Sequence, residues 1–215
     1  MRPRPFILSC WLLAVERVSF VCQKELRLSD VDGAFIFMLK ECFYMAFDGI
    51  TIAAMVKELH MNLDGGRFNK IAQPEADELL ITGKGANGQC RLLLSASASL
   101  PLIYFTSKNK PSPMTAPNFC MLLRKHIGSA RISDIRQPGL ERVVMFELEH
   151  LNELGDPCKK VLIMELMGKH SNIIFCDDKG MILDSIKHVS SHMSSVREVL
   201  PGREYFIPKT QDKLD

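Results

Sequence analysis

The hydrophobic positions of the chain form one helical pattern followed by a series of short runs. After Asp48, apolar residues recur at three- and four-residue intervals, at Ile52, Met55, Val56, Leu59 and Leu63. This period predicts an amphipathic helix with Asp48 as its N-cap, and Phe47 and Ile52 are placed for a hydrophobic staple. Gly65 and Gly66 predict the end of the helix.

Nine short apolar runs, each bounded by Gly, Pro or Asn, predict strands. They cover 67–73, 78–82, 90–96, 102–106, 131–136, 141–149, 160–167, 171–176 and 181–188. In the sixth run, Val144, Phe146 and Leu148 alternate with more polar residues. This alternation predicts a half-buried strand with one apolar face.

A second helix is predicted between the fourth and fifth runs. Pro117 suits the first helical position and Gly128 the end. Its apolar side would carry Phe119, Leu122, Leu123 and Ile127. Two helices among eight or nine short strands predict an α+β fold, a mostly antiparallel sandwich or barrel with two flanking helices, because long helices do not alternate with the strands.

The first 44 residues differ from the rest, since they contain the only Trp and no sustained helical or alternating pattern. Residues 1–44 are therefore expected to be an extraneous, poorly structured leader. Met45 is expected to be the natural start of a domain covering 45–205, and 206–215 the start of a linker. The segment 6–15 imitates a secretory signal, but charged Glu16 and Arg17 follow it without a clear cleavage site.

Composition narrows the class of protein but not its function. The net charge is only +2, so any phosphate-binding surface must be a local patch. Seven scattered cysteines without a C-x-x-C pair favour reduced thiols in a cytoplasmic protein and give no metal-ligand spacing. No run reaches the 18 or more apolar residues that a membrane span needs.

The sequence contains no motif of a common enzyme class. A phosphate loop, a nucleophile elbow, a zinc-protease motif and a dinucleotide fingerprint are all absent. The glycine-rich run 83–88 lies between two predicted strands and does not lead into a helix, so it predicts a hairpin turn. We therefore expect no cofactor or metal. The missing motifs do not by themselves decide against catalysis, because catalytic groups are adjacent in space and need not be adjacent in sequence.

Basic and amide side chains collect at the ends of predicted elements. They are Arg124, Lys125, His126, Lys169, His170, Asn172, Lys187 and His188. Such residues can present cations and hydrogen-bond donors to phosphates. Two structural interpretations compete with this one. Arg124 and Lys125 suit a helix C-terminus, and 169–172 suits a turn whose Ser and Asn bond their own backbone.

Several sequence blocks, in order, resemble the NFACT family, also known as the fibronectin-binding protein A family. They are Met45-Ala-Phe-Asp-Gly, Gly66-Arg67 with Lys70 and Gln73-Pro74, Leu92-Leu-Leu-Ser-Ala, Phe119-Cys-Met-Leu-Leu-Arg-Lys-His-Ile, Glu165-Leu-Met-Gly-Lys-His-Ser-Asn-Ile-Ile, Ser185-Ile-Lys-His-Val and Leu200-Pro-Gly-Arg-Glu-Tyr. The blocks span nearly all of 45–215, and the Glu165 block is the most specific.

The resemblance implies a ribosome-associated cytoplasmic factor. Bacterial members of the family bind large ribosomal subunits that carry a stalled peptidyl-tRNA, and they recruit alanyl-tRNA for alanine tailing of the nascent chain. The resemblance also implies a fold like the amino-terminal domain of formamidopyrimidine-DNA glycosylases. Those enzymes begin with a catalytic Pro-Glu pair, whereas Ala46 and Phe47 follow Met45 here. Glycosylase activity is therefore not expected.

The family's tRNA-recruiting residues map to Asp48 and to the pair Glu141-Arg142, in which Glu replaces the usual Asp. Alternation along 141–149 places Arg142 toward the core side at the start of its strand. The leading hypothesis is a tRNA-binding module in which the basic residues contact phosphates while Asp48 and Glu141 orient them. The alternatives are a fibronectin-binding surface adhesin and, more remotely, a nucleic-acid-processing enzyme.

Overall fold

A computed structural model describes residues 48–151 and 155–208. Its contacts divide the chain into residues 1–48 and 49–215, and the fold described below belongs to the second unit. The predicted leader and Phe47, one half of the predicted staple, lie outside the described residues. Asp48 is exposed and immediately precedes the first helix.

Helix α1 spans Gly49–Leu63 and buries Ile52, Leu59 and Leu63, as the three- and four-residue spacing predicts. It ends before Gly65, whose φ of 64° lies in the left-handed region that glycine enters without steric cost. The second helix, α2, spans Asn118–Ile127 and begins one residue after Pro117. Its buried side contains Cys120, while the predicted Leu122 is only half-buried.

Within residues 48–151 and 155–208, nine antiparallel strands form a single sheet in the order β4-β3-β2-β1-β5-β6-β7-β8-β9. Their bounds are β1 Arg67–Ala72, β2 Glu78–Gly85, β3 Gly88–Ser95, β4 Leu102–Phe105, β5 Arg131–Arg136, β6 Val143–Leu151, β7 Pro157–Glu165, β8 Asn172–Asp177 and β9 Ile182–Ser185. The glycine-rich run is a hairpin turn, as predicted, because Gly85 pairs with Gly88 across two connecting residues.

The sheet is open, so the barrel that was an alternative in the sequence-based prediction is not formed. Its two halves, β1–β4 and β5–β9, share one register pair, Arg67 with Arg131. Helix α2 packs against β1, β6 and β9, and α1 packs against β2, β5 and β6. Contacts through the helices thus connect the two halves in addition to this strand pair.

The main core lies between the helices and the inner face of this sheet. Phe68 of β1 and Phe146 of β6 are both fully buried, with ring centroids 6.2 Å apart. Leu59 of α1 and Leu123 of α2 are buried as well. Aromatic side chains from both halves therefore meet across the single bridge and hold the two halves together.

Strand β6 differs from the half-buried strand that its alternation predicts. Its first four residues are all buried, because a second apolar cluster covers the opposite face. There Val143 and Met145 pack with Ile182 of β9 and with Val199 and Ile207 of the C-terminal segment. Alternation in one strand cannot reveal that a distant segment covers its second face.

Within the described ranges, neither helix is long and apolar enough to cross a bilayer.

Candidate nucleic-acid interface

Strand pairing brings most of the predicted site residues to one edge of the sheet. The start of β6, the end of β7 and the start of β8 meet there, since Val143 pairs with Glu165 and Glu165 with Asn172. We call this region the Arg142 edge, and it comprises Glu141, Arg142, Lys169, His170, Asn172, Lys187 and His188. Three separate sequence segments, 141–142, 169–172 and 187–188, thus become neighbours through the register of antiparallel strands.

Arg142 enters β6 with its backbone fixed, because its carbonyl oxygen accepts a 2.8 Å hydrogen bond from the Leu166 amide. Its side chain is half-buried and forms no ion pair with any residue of the described ranges. A guanidinium is always charged and carries five donors. The charge of Arg142 thus has no opposite charge paired with it among the described residues.

Gln137 holds the segment that carries Glu141 against the first residue of α1. Its Nε2 donates to the carbonyl oxygens of Gly49 and Glu141, each at 2.8 Å. A Cβ on Gly49 would lie 2.1 Å from the carbonyl oxygen of Leu140, so only glycine fits there without a backbone shift. Sequence analysis missed Gln137, and only the Gln-Pro-Gly turn pointed to an ordered loop.

The turn after β7 presents two basic side chains. Gly168–His170 forms one 3-10 turn in which Gly168 has a φ of 58°. Ser171 Oγ accepts a hydrogen bond from the Met167 amide at 2.9 Å, so the structural interpretation of this turn is confirmed. Lys169 and His170 remain exposed. The self-bonded turn and cation presentation are therefore compatible.

Asn172 and Lys187 are engaged within the fold. Asn172 is only 2% exposed; its Nδ2 donates to the Lys187 carbonyl at 2.8 Å, and its Oδ1 accepts from the Lys187 amide at 3.1 Å. The Lys187 ammonium donates to the carbonyl oxygen of Ala96 at the end of β3. These two residues hold the edge together. His188 is exposed and its Nε2 lies 2.7 Å from Asp184 Oδ1.

Arg124, Lys125 and His126 do not join the Arg142 edge. Arg124 Nε donates to the carbonyl oxygen of Ile71 in β1 at 2.7 Å. The His126 ring lies 6.4 Å from that of His150, seven positions along β6 from Val143. At about 3.3 Å per strand residue, His150 is roughly 23 Å from the start of β6. The His126 ring also lies 6.1 Å from that of Phe175, three positions along β8 from Asn172. The α2 residues are therefore near the strands of the Arg142 edge but are not among the residues that strand pairing brings together there.

A buried ionic cluster that sequence analysis did not identify lies behind the Arg142 edge. Glu165 is fully buried. Its Oε2 accepts a 2.5 Å hydrogen bond from Arg197 Nη2, and its Oε1 accepts one from the Tyr205 hydroxyl at 2.9 Å. The only sequence signal was a carboxylate in an otherwise apolar run. The cluster joins the C-terminal segment to the end of β7.

The pKa values within this cluster follow from burial and charge. Burial, followed by the Glu165 charge, raises the pKa of Tyr205 well above its usual range. Burial alone would lower the pKa of Arg197, but its hydrogen bond to Glu165 and the charge of Glu165 raise it. The phenol therefore stays neutral and the guanidinium charged. In the described ranges, no group of three or more His, Cys, Asp or Glu could hold a metal ion.

Comparison with known proteins gives consistent matches over most of the chain. The family model NFACT_N, described as NFACT N-terminal and middle domains, matches residues 48–215. The Rqc2 homolog RqcH of Bacillus subtilis is 43% identical over 173 residues, which are 79% of this chain and 30% of that protein. The human ribosome quality control complex subunit NEMF is 27% identical over 151 residues, 70% of this chain and 13% of that protein.

Solved structures agree with these sequence matches. The N-terminal domain of the fibronectin-binding protein PavA from Streptococcus pneumoniae has a TM-score of 0.72 at 39% identity, covering 75% of this chain and 62% of that one. The N-terminal part of the fibronectin/fibrinogen-binding protein of Streptococcus suis has a TM-score of 0.74 at 38% identity, covering 78% and 63%. The chain spans about a third of the length of its curated bacterial relatives.

Proposed function

The chain belongs to the NFACT_N family, and on that premise we propose that it is a tRNA- and large-ribosomal-subunit-binding module of a ribosome quality control factor. The whole protein would recruit alanyl-tRNA to large subunits that carry a stalled peptidyl-tRNA, for alanine tailing of the nascent chain. It would act in the cytoplasm on the ribosome, without a cofactor or catalysis of its own. The names of the relatives RqcH and NEMF support this proposal.

The observation that carries the proposal is the half-buried guanidinium of Arg142, which forms no ion pair with any described residue, at the same edge of the sheet as the exposed Lys169 and His170. A planar guanidinium can donate two parallel hydrogen bonds to one phosphate, and a neighbouring ammonium adds charge without a fixed geometry. Glu141, held by Gln137, would orient the site or accept a hydrogen bond from a ribose. The Arg142 edge would thus contact the tRNA backbone by shape and charge.

The remaining predicted residues have more indirect places in this proposal. Asn172 and Lys187 act as positioning residues, because their hydrogen bonds are made within the fold. Asp48, next to α1, keeps its proposed role in tRNA recruitment. Arg124 and Lys125 lie on α2, where Arg124 bonds the carbonyl oxygen of Ile71, and would reach a different part of a large RNA.

Arg142→Lys tests the proposal, since it keeps the charge and most of the stem but loses the two-pronged donor. We expect the variant to melt like the wild type and to recruit tRNA poorly to stalled large subunits in the full-length protein. Arg203→Lys, an exposed arginine paired with Glu198, is the matched control and should recruit normally. Normal recruitment by Arg142→Ala would remove Arg142 from the site.

Fibronectin binding is the second candidate, supported by the names of the solved relatives from streptococci. Surface plasmon resonance with immobilised fibronectin would test it directly. Binding that is saturable and unaffected by Arg142→Ala would establish an activity separate from the Arg142 edge. If the chain shows no saturable fibronectin binding and the full-length protein recruits tRNA, the ribosomal function is the only one of the two candidates that is supported.

A further inference from the structure

The register of the first three strands places basic side chains in two rows on one face of the sheet. Arg67 of β1 pairs with Lys84 of β2. Lys70 pairs with Thr82, which in turn pairs with Arg91 of β3. Paired residues in adjacent strands point to the same face, and the rows lie about 7 Å apart, the rise of two strand residues.

A β-bulge creates this arrangement. The register between β1 and β2 shifts between Phe68 and Lys70. Arg67 and Lys70 are three positions apart, a spacing that would put them on opposite faces of a regular strand. The extra residue turns both toward the same side while Phe68 stays in the core.

This side faces away from the main core. The next row along the strands is Ala72, Leu80 and Leu93, which form a separate small cluster with Tyr104. Arg67, Lys70 and Lys84 are exposed, and within the described ranges none of them pairs with a carboxylate. We call Arg67, Lys70, Lys84 and Arg91 the outer basic face.

The arginines of this face donate to neutral carbonyl oxygens, and no carboxylate of the described residues forms an ion pair with them. Arg67 Nη1 donates to the carbonyl oxygen of Ser129 at 3.3 Å, and Arg91 Nη1 donates to that of Ser107 at 2.8 Å. Neutral carbonyls restrict where a guanidinium lies but do not cancel its charge. The outer basic face therefore carries four positive charges, and its geometry is partly fixed before any ligand binds.

Two concavities flank the rows. One, of about 400 Å³, is lined by Arg67, Asn69 and Lys84, with Asp64 also in its lining. The other, of about 170 Å³, includes Lys70. Strands β1–β3 carry no exposed large hydrophobic side chain. A protein partner normally needs an apolar centre in its interface, whereas a phosphate backbone needs only cations and hydrogen-bond donors.

We propose that the outer basic face binds the sugar-phosphate backbone of RNA and does so without reading its sequence. The surface is separate from the Arg142 edge. Arg67 pairs with Arg131, which pairs with Glu149, six positions along β6 from Val143 and so roughly 20 Å from it. The outer basic face shares no residue with the proposed tRNA site, so its role in binding RNA goes beyond the proposed function.

The double variant Lys70→Glu/Lys84→Glu tests the face in the full 215-residue chain. Binding of a fluorescein-labelled RNA duplex of arbitrary sequence is followed by anisotropy between about 50 and 200 mM salt. Each lost phosphate contact lowers the slope of log affinity against log salt by about 0.7 to 0.9. We expect the slope to fall by about 1.4 to 1.8 and the affinity by about tenfold at low salt.

The matched control is Lys57→Glu/Lys179→Glu, which makes the same charge change at two exposed lysines outside the face. It should leave most of the salt slope in place, and all variants should give wild-type circular dichroism. Equal slopes for the two double variants would overturn the proposal. Competition by polyglutamate as effective as that by RNA would overturn it in favour of an acidic protein partner.

The same assay keeps this proposal distinct from the tRNA hypothesis. Arg142→Lys retains its charge, so it should leave the duplex affinity and the salt slope unchanged while tRNA recruitment falls. Loss of recruitment with an intact slope would concern the Arg142 edge alone. If Lys70→Glu/Lys84→Glu leaves the salt slope unchanged while Arg142→Lys loses tRNA recruitment as expected, only the proposal that the outer basic face binds RNA is refuted.

Discussion

Gln137 offers a sharp test of how the Arg142 edge is held, because one side-chain amide donates to two backbone carbonyls, those of Gly49 and Glu141. Gln137→Ala removes both hydrogen bonds and the side-chain volume. Gln137→Glu keeps the volume and shape but replaces the donor with a carboxylate that faces two carbonyl oxygens. The two substitutions therefore separate hydrogen bonding from packing.

The magnitudes follow from the geometry. Two part-buried hydrogen bonds at about 1 kcal/mol each give a loss of about 2 kcal/mol for Gln137→Ala. For a domain of this size, that loss corresponds to a fall in melting temperature of about 4 to 8 °C. The melting temperature of Gln137→Glu should fall further, because the carboxylate charge is repelled by the carbonyl oxygens of Gly49 and Glu141.

Thermal melts followed by circular dichroism give the order of stability. Gln89→Ala and Gln89→Glu, at an exposed position of β3, are the matched controls. Both control variants should melt within about 2 °C of the wild type, the range expected for surface changes. A Gln137→Glu variant that melts like the wild type while Gln137→Ala is destabilised would show that the residue acts by shape alone. Under the proposed function, Gln137→Ala should also recruit tRNA less well.

Two further predictions concern buried groups. Arg197→Met leaves the Glu165 carboxylate buried without its partner and should cost about 3 to 5 kcal/mol in urea unfolding, and a loss under about 1 kcal/mol would refute the importance of the pair. Burial raises the pKa of the Cys176 thiol from 9.0 to about 12, so its stabilising contribution is full below pH 9 and declines as pH rises toward 12. Alkylation of Cys176 at pH 8 should therefore require unfolding, and fast labelling of the folded chain would contradict its burial.

Local patterns in the sequence determined the elements of this protein and their type. The apolar period after Asp48 predicted a helix that the structure places at Gly49–Leu63, and the run 131–136 became β5 with the same bounds. Runs of five to nine residues bounded by Gly, Pro or Asn predicted strands, and their number predicted a mostly antiparallel sheet. These features depend on neighbours within a few residues, which a sequence pattern records directly.

Tertiary structure alone decided which residues share a site. Gln137 and Gly49 are 88 positions apart, and Glu165 meets Arg197 and Tyr205 across 32 and 40 positions. The bulge in β1 turned Arg67 and Lys70 to one face, and pairing through β6 separated His126 from Arg142. Register and coverage by distant segments set these positions. The entropic cost of a contact grows only slowly with separation along the chain, so residues far apart can meet, whereas a local pattern records only near neighbours.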